Sequence, residues 1–152
     1  ALGGGCELVL CCDFAVMAES AKIGQPEIQL AAFAPIAAMR LPVMVGYRAA
    51  ADMLLTGRTL TADEALKMGL VNAVVPADGL EQWIQEKIAQ LSGLSRVALT
   101  MTKRALQSGF GAWDSSVSEL ERLYLDELMK TEDAREGLAA FMEKRAAVWK
   151  HK

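Results

Sequence analysis

The sequence has few aromatic residues and no excess of positive charge. Aromatic residues make up 6% of its 152 residues, and the formal net charge is −3. This balance argues against non-specific nucleic-acid binding and against a polybasic membrane anchor. No uninterrupted apolar run approaches the length of a membrane-spanning helix. We therefore expect a protein with no nucleic-acid partner and no membrane partner.

Histidine and cysteine are also scarce. The one histidine is His151, and the cysteines are Cys6, Cys11 and Cys12. An odd, clustered set of cysteines argues against a disulfide framework and fits a reduced intracellular protein. We predict no metal site, and we expect all three cysteines to be buried as small hydrophobic residues. A cytoplasmic location is predicted, and an N-terminal targeting segment stays open because the chain begins at Ala1.

The residue pattern predicts short strands near the start of the chain and helices after them. Thr61…Glu64 and Ser116…Glu119 have the spacing of capping boxes, while Gly57 is placed to end a helix. We expect strands over 13–17, 21–23 and 71–75, and helices over 6–12, 47–56, 61–69, 80–92, 96–108, 116–128 and 131–149.

Two acidic residues stand in short motifs of their own. Glu7 follows a run of three glycines (3–5), which predicts a tight turn into a helix whose first N–H groups point outward. Glu27 ends the segment Gly-Gln-Pro-Glu. Outward N–H groups can hold an oxyanion, and two nearby carboxylates can do acid/base chemistry beside a carbonyl group. Taken singly, Glu7 could merely stabilise a helix dipole, and Glu27 could be a solvated loop acid.

These motifs, at this spacing, resemble the enoyl-CoA hydratase/isomerase (crotonase) family. The resemblance covers essentially the whole chain and is also carried by residues 55–72 and 131–145. It implies an α/β fold, a ClpP/crotonase-like β-β-α spiral that is mostly helical in this chain. Residues 1–76 are then the C-terminal part of the spiral core. Residues 77–152 form a helical region for assembly into a homotrimer or a dimer of trimers.

Family members are considerably longer than this chain. The resemblance therefore implies a C-terminal fragment, with a second oxyanion N–H supplied by a preceding segment. The alternatives to a hydratase are an isomerase, another lyase of the family, an RNA-binding family member and an inactive truncated chain. The acidic balance argues against RNA binding.

By the resemblance, the substrate is an acyl-CoA thioester and the reaction is addition of water to its α,β double bond. Gly4 supplies an oxyanion N–H, and Gly3 and Gly5 flank it in the substrate site. Glu7 is the base that activates water, and Glu27 exchanges the proton at the α carbon. Two carboxylates that face one water repel each other, so the pKa of one of them should rise.

The resemblance also implies where coenzyme A binds. Phe141 and Lys144 match the positions that contact its adenine and phosphates, often from a neighbouring subunit. Coenzyme A enters as part of the substrate, and no separate cofactor is expected. For Lys150 and Lys152 we favour a simpler role, as cations that complement a helix C-terminus.

The segment after Glu27 departs from the family pattern. Family members commonly carry a glycine-rich run there, whereas residues 30–39 of this chain contain no glycine. Phe33 and other bulky residues should reshape the acyl end of the pocket and stiffen the loop. Such a loop looks most like the corresponding loop of cyclic dienoyl-CoA hydratases. The alternative is that these residues only repack the core and leave the substrate preference unchanged.

Overall fold

The computed structural model describes residues 1–108 and 113–150. The strands in this part of the chain have three residues each and lie in two small sheets. Their bounds are β1 (Val16–Ala18), β2 (Lys22–Gly24), β3 (Thr59–Thr61) and β4 (Ala73–Val75). β1 pairs with β4 in parallel, and β2 pairs with β3 in the antiparallel sense.

Helices make up most of the rest of the described chain. The α-helices are α1 (Gly4–Leu10), α2 (Pro35–Val45), α3 (Tyr47–Thr56), α4 (Ala62–Lys67), α5 (Leu80–Ser92), α6 (Arg96–Ser108), α7 (Trp113–Glu121) and α8 (Glu132–Glu143). Short 3-10 turns cover Pro26–Leu30, Ala77–Gly79 and Leu128–Lys130, and a π-helical turn covers Arg122–Glu127.

The buried core lies where the first three α-helices meet the β2–β3 sheet and α4. Burying an aliphatic or methionine side chain completely contributes about 1.5–3 kcal/mol, so a few such residues hold α1 and the strands in place. The largest fully buried apolar side chains are Leu10, Ile23, Leu41, Met53 and Leu60.

The predicted helix signals at Thr61 and Gly57 are confirmed. Thr61 accepts a hydrogen bond from Glu64 N, and the Glu64 carboxylate accepts one from Thr61 N, which completes the capping box. Gly57 is left-handed (φ 68°) and ends α3. The predicted spans of α3, α5 and α6 agree with the structure.

The strand β3 was not predicted. β3 forms beside Gly24, whose missing side chain allows a close approach. A Cβ on Gly24 would lie 2.9 Å from Thr59 Cα and 3.0 Å from Arg58 O. The early helix and strands are also shifted from prediction, with α1 starting at Gly4 and β1 at Val16.

The predicted capping box at Ser116 is wrong. α7 begins at Trp113, so Ser116 lies inside the helix, whereas an N-cap residue has a non-helical backbone. The predicted single helix over 116–128 is also interrupted at Arg122 by the π-helical turn.

The last helix is shorter than predicted. Thr131 caps it by accepting a hydrogen bond from Ala134 N (3.1 Å), and it ends where Lys144 turns left-handed at φ 53°. The chain then runs back along α8, where Val148 N donates to Glu136 (2.9 Å) and Lys150 N to Asp133 (2.6 Å). These two carboxylates therefore accept hydrogen bonds from backbone N–H groups that lie outside any helix. The prediction of a helix to residue 149 is therefore wrong.

The predicted role of Lys150 is also wrong. Its Nζ lies 3.0 Å from the Glu132 carboxylate, at the opposite end of α8 from the helix C-terminus. Lys152 and His151 lie outside the described residues. The division at residues 76 and 77 stays a prediction. No helix in the described ranges is both long and apolar enough to cross a membrane.

Candidate active site

The first glycine of the motif brings the start of the chain against the loop that carries Glu27. Gly3 N donates to Gly24 O (3.0 Å), and Gly24 N donates to Ala1 O (3.2 Å). Gly3 has φ 58°, and a Cβ there would lie 2.8 Å from Glu27 Oε1. The left-handed backbone therefore favours glycine at position 3, and a Cβ there would also have to displace the Glu27 carboxylate.

The next two glycines differ in what their N–H groups can do. Gly4 is the first residue of α1, so its N–H has no acceptor within the helix. A Cβ on Gly4 would meet no atom within 4 Å, so this end of α1 is open to an approaching ligand. Gly5 N, in contrast, already donates to Leu2 O (3.1 Å). Gly4 is thus the better candidate oxyanion donor of the two.

Glu7 is held by the N-terminus of a second helix. Its Oε1 accepts hydrogen bonds from Ile36 N (2.9 Å) and Ala37 N (3.1 Å) in the first turn of α2. The N-cap residue of α2 is Ala34, which has no polar side chain, so Glu7 caps this helix from α1. These two hydrogen bonds fix the Glu7 carboxylate at the start of α2.

Glu27 has a different environment. It lies in the first turn of the 3-10 helix Pro26–Leu30 and is half-buried. Burial raises the pKa of Glu27, its own backbone N–H opposes that shift, and the charge of Glu7 raises it further. The two carboxylates are therefore close enough to repel, and Glu27 holds a proton more readily than an ordinary glutamate does. This environment differs from that of a solvated loop acid.

The buried side chain beside Glu27 is Gln25, which sequence analysis did not single out. Only 1% of Gln25 is exposed. With its amide nitrogen turned toward Glu27, it donates to Oε1 (3.1 Å) and Oε2 (3.0 Å) of that carboxylate. A polar residue between Gly24, which ends β2, and Pro26 is the one sequence signal that could have indicated it.

Cys6 shares this buried environment. It is fully buried beside Gln25, and its burial raises the pKa of the thiol to about 11. The prediction of buried cysteines is right for Cys6 and wrong for Cys11 and Cys12, which are exposed. The latter two follow the last residue of α1, Leu10, where the helix ends at the surface.

The predicted acyl-pocket and coenzyme A residues lie on two other elements. Phe33 is half-buried in the loop between Glu27 and α2, and its ring meets that of Tyr124 edge-on. On α8, Phe141 is 64% exposed, which leaves its ring free to contact a ligand. Lys144 is the exposed residue that ends this helix. The structure thus places Phe33 near the carboxylate loop, whereas Phe141 and Lys144 lie at the surface.

A groove of about 410 Å³ lies along β1 and β2 and is lined mainly by apolar residues such as Phe14, Met17 and Ile23. Neither Glu7 nor Glu27 lines it. It is therefore distinct from the candidate acid/base pair.

The capping role of Glu7 can be tested apart from catalysis. We expect Glu7→Ala to lower the free energy of unfolding by about 0.5–2 kcal/mol, because Ile36 N and Ala37 N lose their acceptor. Glu7→Gln should lose much less, since an amide oxygen can still accept both hydrogen bonds. Urea unfolding of the two variants measures the difference. Equal stability of the alanine variant and the wild type would contradict the capping role.

A family model described as "Enoyl-CoA hydratase/isomerase" matches residues 1–152. A curated protein of Mycobacterium bovis, named "Probable enoyl-CoA hydratase echA8", is 43% identical and aligns with 100% of this chain and 60% of its own length. "Cyclohexa-1,5-dienecarbonyl-CoA hydratase" of Thauera aromatica is 39% identical and aligns with 99% of this chain and 58% of its own length. The chain thus spans about 60% of the length of these relatives.

The fold has a solved counterpart. The crystal structure of carnitinyl-CoA hydratase from Mycobacterium avium superposes on 100% of this chain with a TM-score of 0.93 and 33% sequence identity. This chain covers 60% of that one. The α/β crotonase-like fold expected from the sequence, with mostly helical content, is confirmed by this likeness.

Proposed function

Because the chain belongs to the enoyl-CoA hydratase/isomerase family, we propose that its protein adds water across the α,β double bond of an enoyl-CoA thioester. The observation that carries this proposal is the contrast between the two carboxylates. Glu7 accepts hydrogen bonds from two N–H groups at the start of α2, whereas the pKa of Glu27 is raised by burial and by the charge of Glu7. A carboxylate held by helix N–H groups, next to a second carboxylate whose pKa is raised, suits a base paired with an acid.

In the proposed reaction, Gly4 N donates to the thioester oxygen and stabilises the enolate-like charge that develops there. Glu7 takes a proton from water, and the resulting hydroxide forms a bond to the β carbon. The π bond breaks toward the α carbon, which receives a proton from Glu27. Passage of a proton from Glu7 to Glu27 through solvent restores the enzyme, so that one water is consumed for each double bond.

Binding of coenzyme A is proposed for the exposed face of α8. The Phe141 ring is available to stack on the adenine, and the Lys144 ammonium to pair with phosphate. Such a site suits a homotrimer or a dimer of trimers in which α8 of one subunit meets the site of another. A cytoplasmic location, with no cofactor other than the coenzyme A of the substrate, completes the proposal.

We propose a cyclic dienoyl-CoA as the preferred substrate. The loop that follows Glu27 lacks glycine and positions Phe33, and it leads into α2 through Ala34, which is 3% exposed. A packed, apolar loop suits a flat alicyclic ring better than a flexible linear chain. The relative from Thauera aromatica, named for a cyclic diene substrate, supports this choice. An isomerase is the alternative, because some members of the family rely on one acidic group.

Comparing two substrates tests this proposal. We expect hydration of cyclohexa-1,5-diene-1-carbonyl-CoA with a kcat/KM about tenfold or more above that for crotonyl-CoA, since pocket contacts of this size discriminate by roughly 10–200-fold. A strong preference for crotonyl-CoA would contradict the cyclic assignment and leave a linear hydratase. Conversion of a 3-enoyl-CoA without hydration of either substrate would instead establish the isomerase.

A further inference from the structure

The ring of Phe33 is held by a residue from a distant part of the chain. The ring centroids of Phe33 and Tyr124 lie 5.2 Å apart, and the ring planes are perpendicular. This is the edge-to-face arrangement that aromatic pairs prefer. Both side chains are half-buried, so each is fixed on one side and accessible on another.

The backbone around Tyr124 has an unusual form. Tyr124 lies in the middle of the π-helical turn Arg122–Glu127, which separates α7 from the 3-10 turn before α8. Single π-helical turns are rare and are found frequently at functional sites. Arg122 pairs with Glu119, at 2.7 Å, and with Glu127, five residues along the chain, which is the spacing of a π-helical hydrogen bond. These contacts support the wide turn that carries Tyr124.

Phe33 in turn lies along the chain between Glu27 and Ile36, the residue whose N–H donates to Glu7. Glu27 precedes it in the 3-10 helix Pro26–Leu30, and Ile36, whose N–H donates to Glu7, follows it at the start of α2. Ala32 N donates to Glu27 O (3.1 Å), which ties this short loop to the Glu27 turn. A residue that fixes the Phe33 ring therefore fixes a side chain of the short loop that joins the Glu27 turn to the helix whose N-terminus holds Glu7.

We propose that Tyr124 is a specificity-determining residue, which orients Phe33 so that the two rings form an aromatic wall for a flat, ring-shaped acyl group. This inference rests on the proposed function and deepens it, since it assigns the shape of the acyl group to a ring pair. A perpendicular pair offers a ring edge and a ring face at right angles, and a flat acyl ring can lie against both. A linear chain gains less contact with such a corner. Tyr124 thus acts through Phe33 and takes no part in proton transfer.

Binding of thioesters that cannot be hydrated tests this proposal apart from catalysis. Benzoyl-CoA, whose ring is flat, and linear butyryl-CoA carry no enoyl double bond that can be hydrated, and calorimetry on the protein gives a Kd for each. We expect Tyr124→Leu to weaken binding of the cyclic probe about tenfold relative to the linear probe. Tyr124→Phe should keep the wild-type ratio, because it retains the ring.

The other tyrosine provides a matched control. Tyr47 is 76% exposed at the start of α3, so Tyr47→Leu should leave the ratio of the two Kd values unchanged. If Tyr124→Leu does not fold, Phe33→Leu removes the same ring pair and should shift the ratio in the same direction. Equal weakening of both probes, with only a lower Tm, would assign Tyr124 a structural role and overturn the proposal. So would the absence of thioester binding by the wild type.

The outcome is distinguishable from failure of the proposed function. A shifted Kd ratio in a protein that hydrates neither enoyl-CoA would keep the aromatic wall and overturn the hydratase. Hydration of an enoyl-CoA by a protein whose Kd ratio is unchanged by Tyr124→Leu would keep the hydratase and overturn the aromatic wall.

Discussion

Glu27→Gln is expected to slow hydration by about 10²–10⁴-fold, the usual contribution of a positioned acid or base. The amide keeps the size and polarity of the side chain but cannot deliver a proton to the α carbon. Because Glu27 is proposed to contact the reacting centre and not coenzyme A, kcat should carry the loss and KM should change little. Steady-state kinetics on the preferred enoyl-CoA measures both constants.

The same substitution should stabilise the fold at neutral pH. The pKa of Glu27 is raised above 4.5 in the folded chain, by burial first and by the charge of Glu7 in addition. Between pH 4.5 and the raised pKa of Glu27, the folded state binds more protons than the unfolded state. The stability of the wild type therefore falls as pH rises through this window. Glu27→Gln removes this loss, and its Tm advantage over the wild type should grow from pH 4 to pH 7.

An exposed acid provides the control for this prediction. Glu19 is exposed in the turn after β1, so Glu19→Gln should leave the kinetics unchanged. A Glu27→Gln variant that is as active as the wild type, or less stable at every pH, would contradict the role given to Glu27.

Gly137→Ala is expected to destabilise the fold strongly, although it adds only a methyl group. A Cβ at Gly137 in α8 would lie 2.2 Å from Leu30 O and 2.6 Å from Leu30 C, and both of these atoms belong to backbone. The helix and the Glu27 turn must therefore move apart. Overpacking of this kind costs about 1–3 kcal/mol and occasionally more, and we expect a value at or above the upper end. Chemical unfolding measures it.

Gly137→Ala should also lower activity, because Leu30 ends the 3-10 helix that positions Glu27. The matched control is Gly93→Ala, where a Cβ would meet its nearest atoms at an ordinary 3.6 Å. That variant should be neutral or slightly stabilising, since alanine reduces the freedom of the unfolded chain. Equal effects of the two substitutions would contradict the close contact between α8 and the Glu27 turn.

Helices with a clear period or a local cap could be predicted from the sequence. α5 and α6 follow the spacing of their apolar residues, and the Thr61 capping box depends on residues three apart. β3 could not be predicted, since it exists because Gly24 lets Thr59 approach. The reversal after Lys144 depends likewise on contacts with Asp133 and Glu136, which no local pattern records.

The candidate site shows the same limit. Motif resemblance indicates Glu7 and Glu27, but it does not say which of them is held by a helix N-terminus. That depends on Ile36 N and Ala37 N, which reach Glu7 only after α2 packs against α1. Gln25 is absent from the prediction for a similar reason, because a buried amide that pairs with a carboxylate has no periodic signal.

The central claim is that Glu7 and Glu27 act as one acid/base unit, in which Glu7 activates the water and Glu27 protonates the α carbon. Hydration rates of Glu7→Gln, Glu27→Gln and the double variant test it most directly. If the two residues act together, the double variant should lose about as much kcat as the more damaged single variant. Losses that multiply in the double variant, or a wild type that hydrates no enoyl-CoA, would contradict this claim.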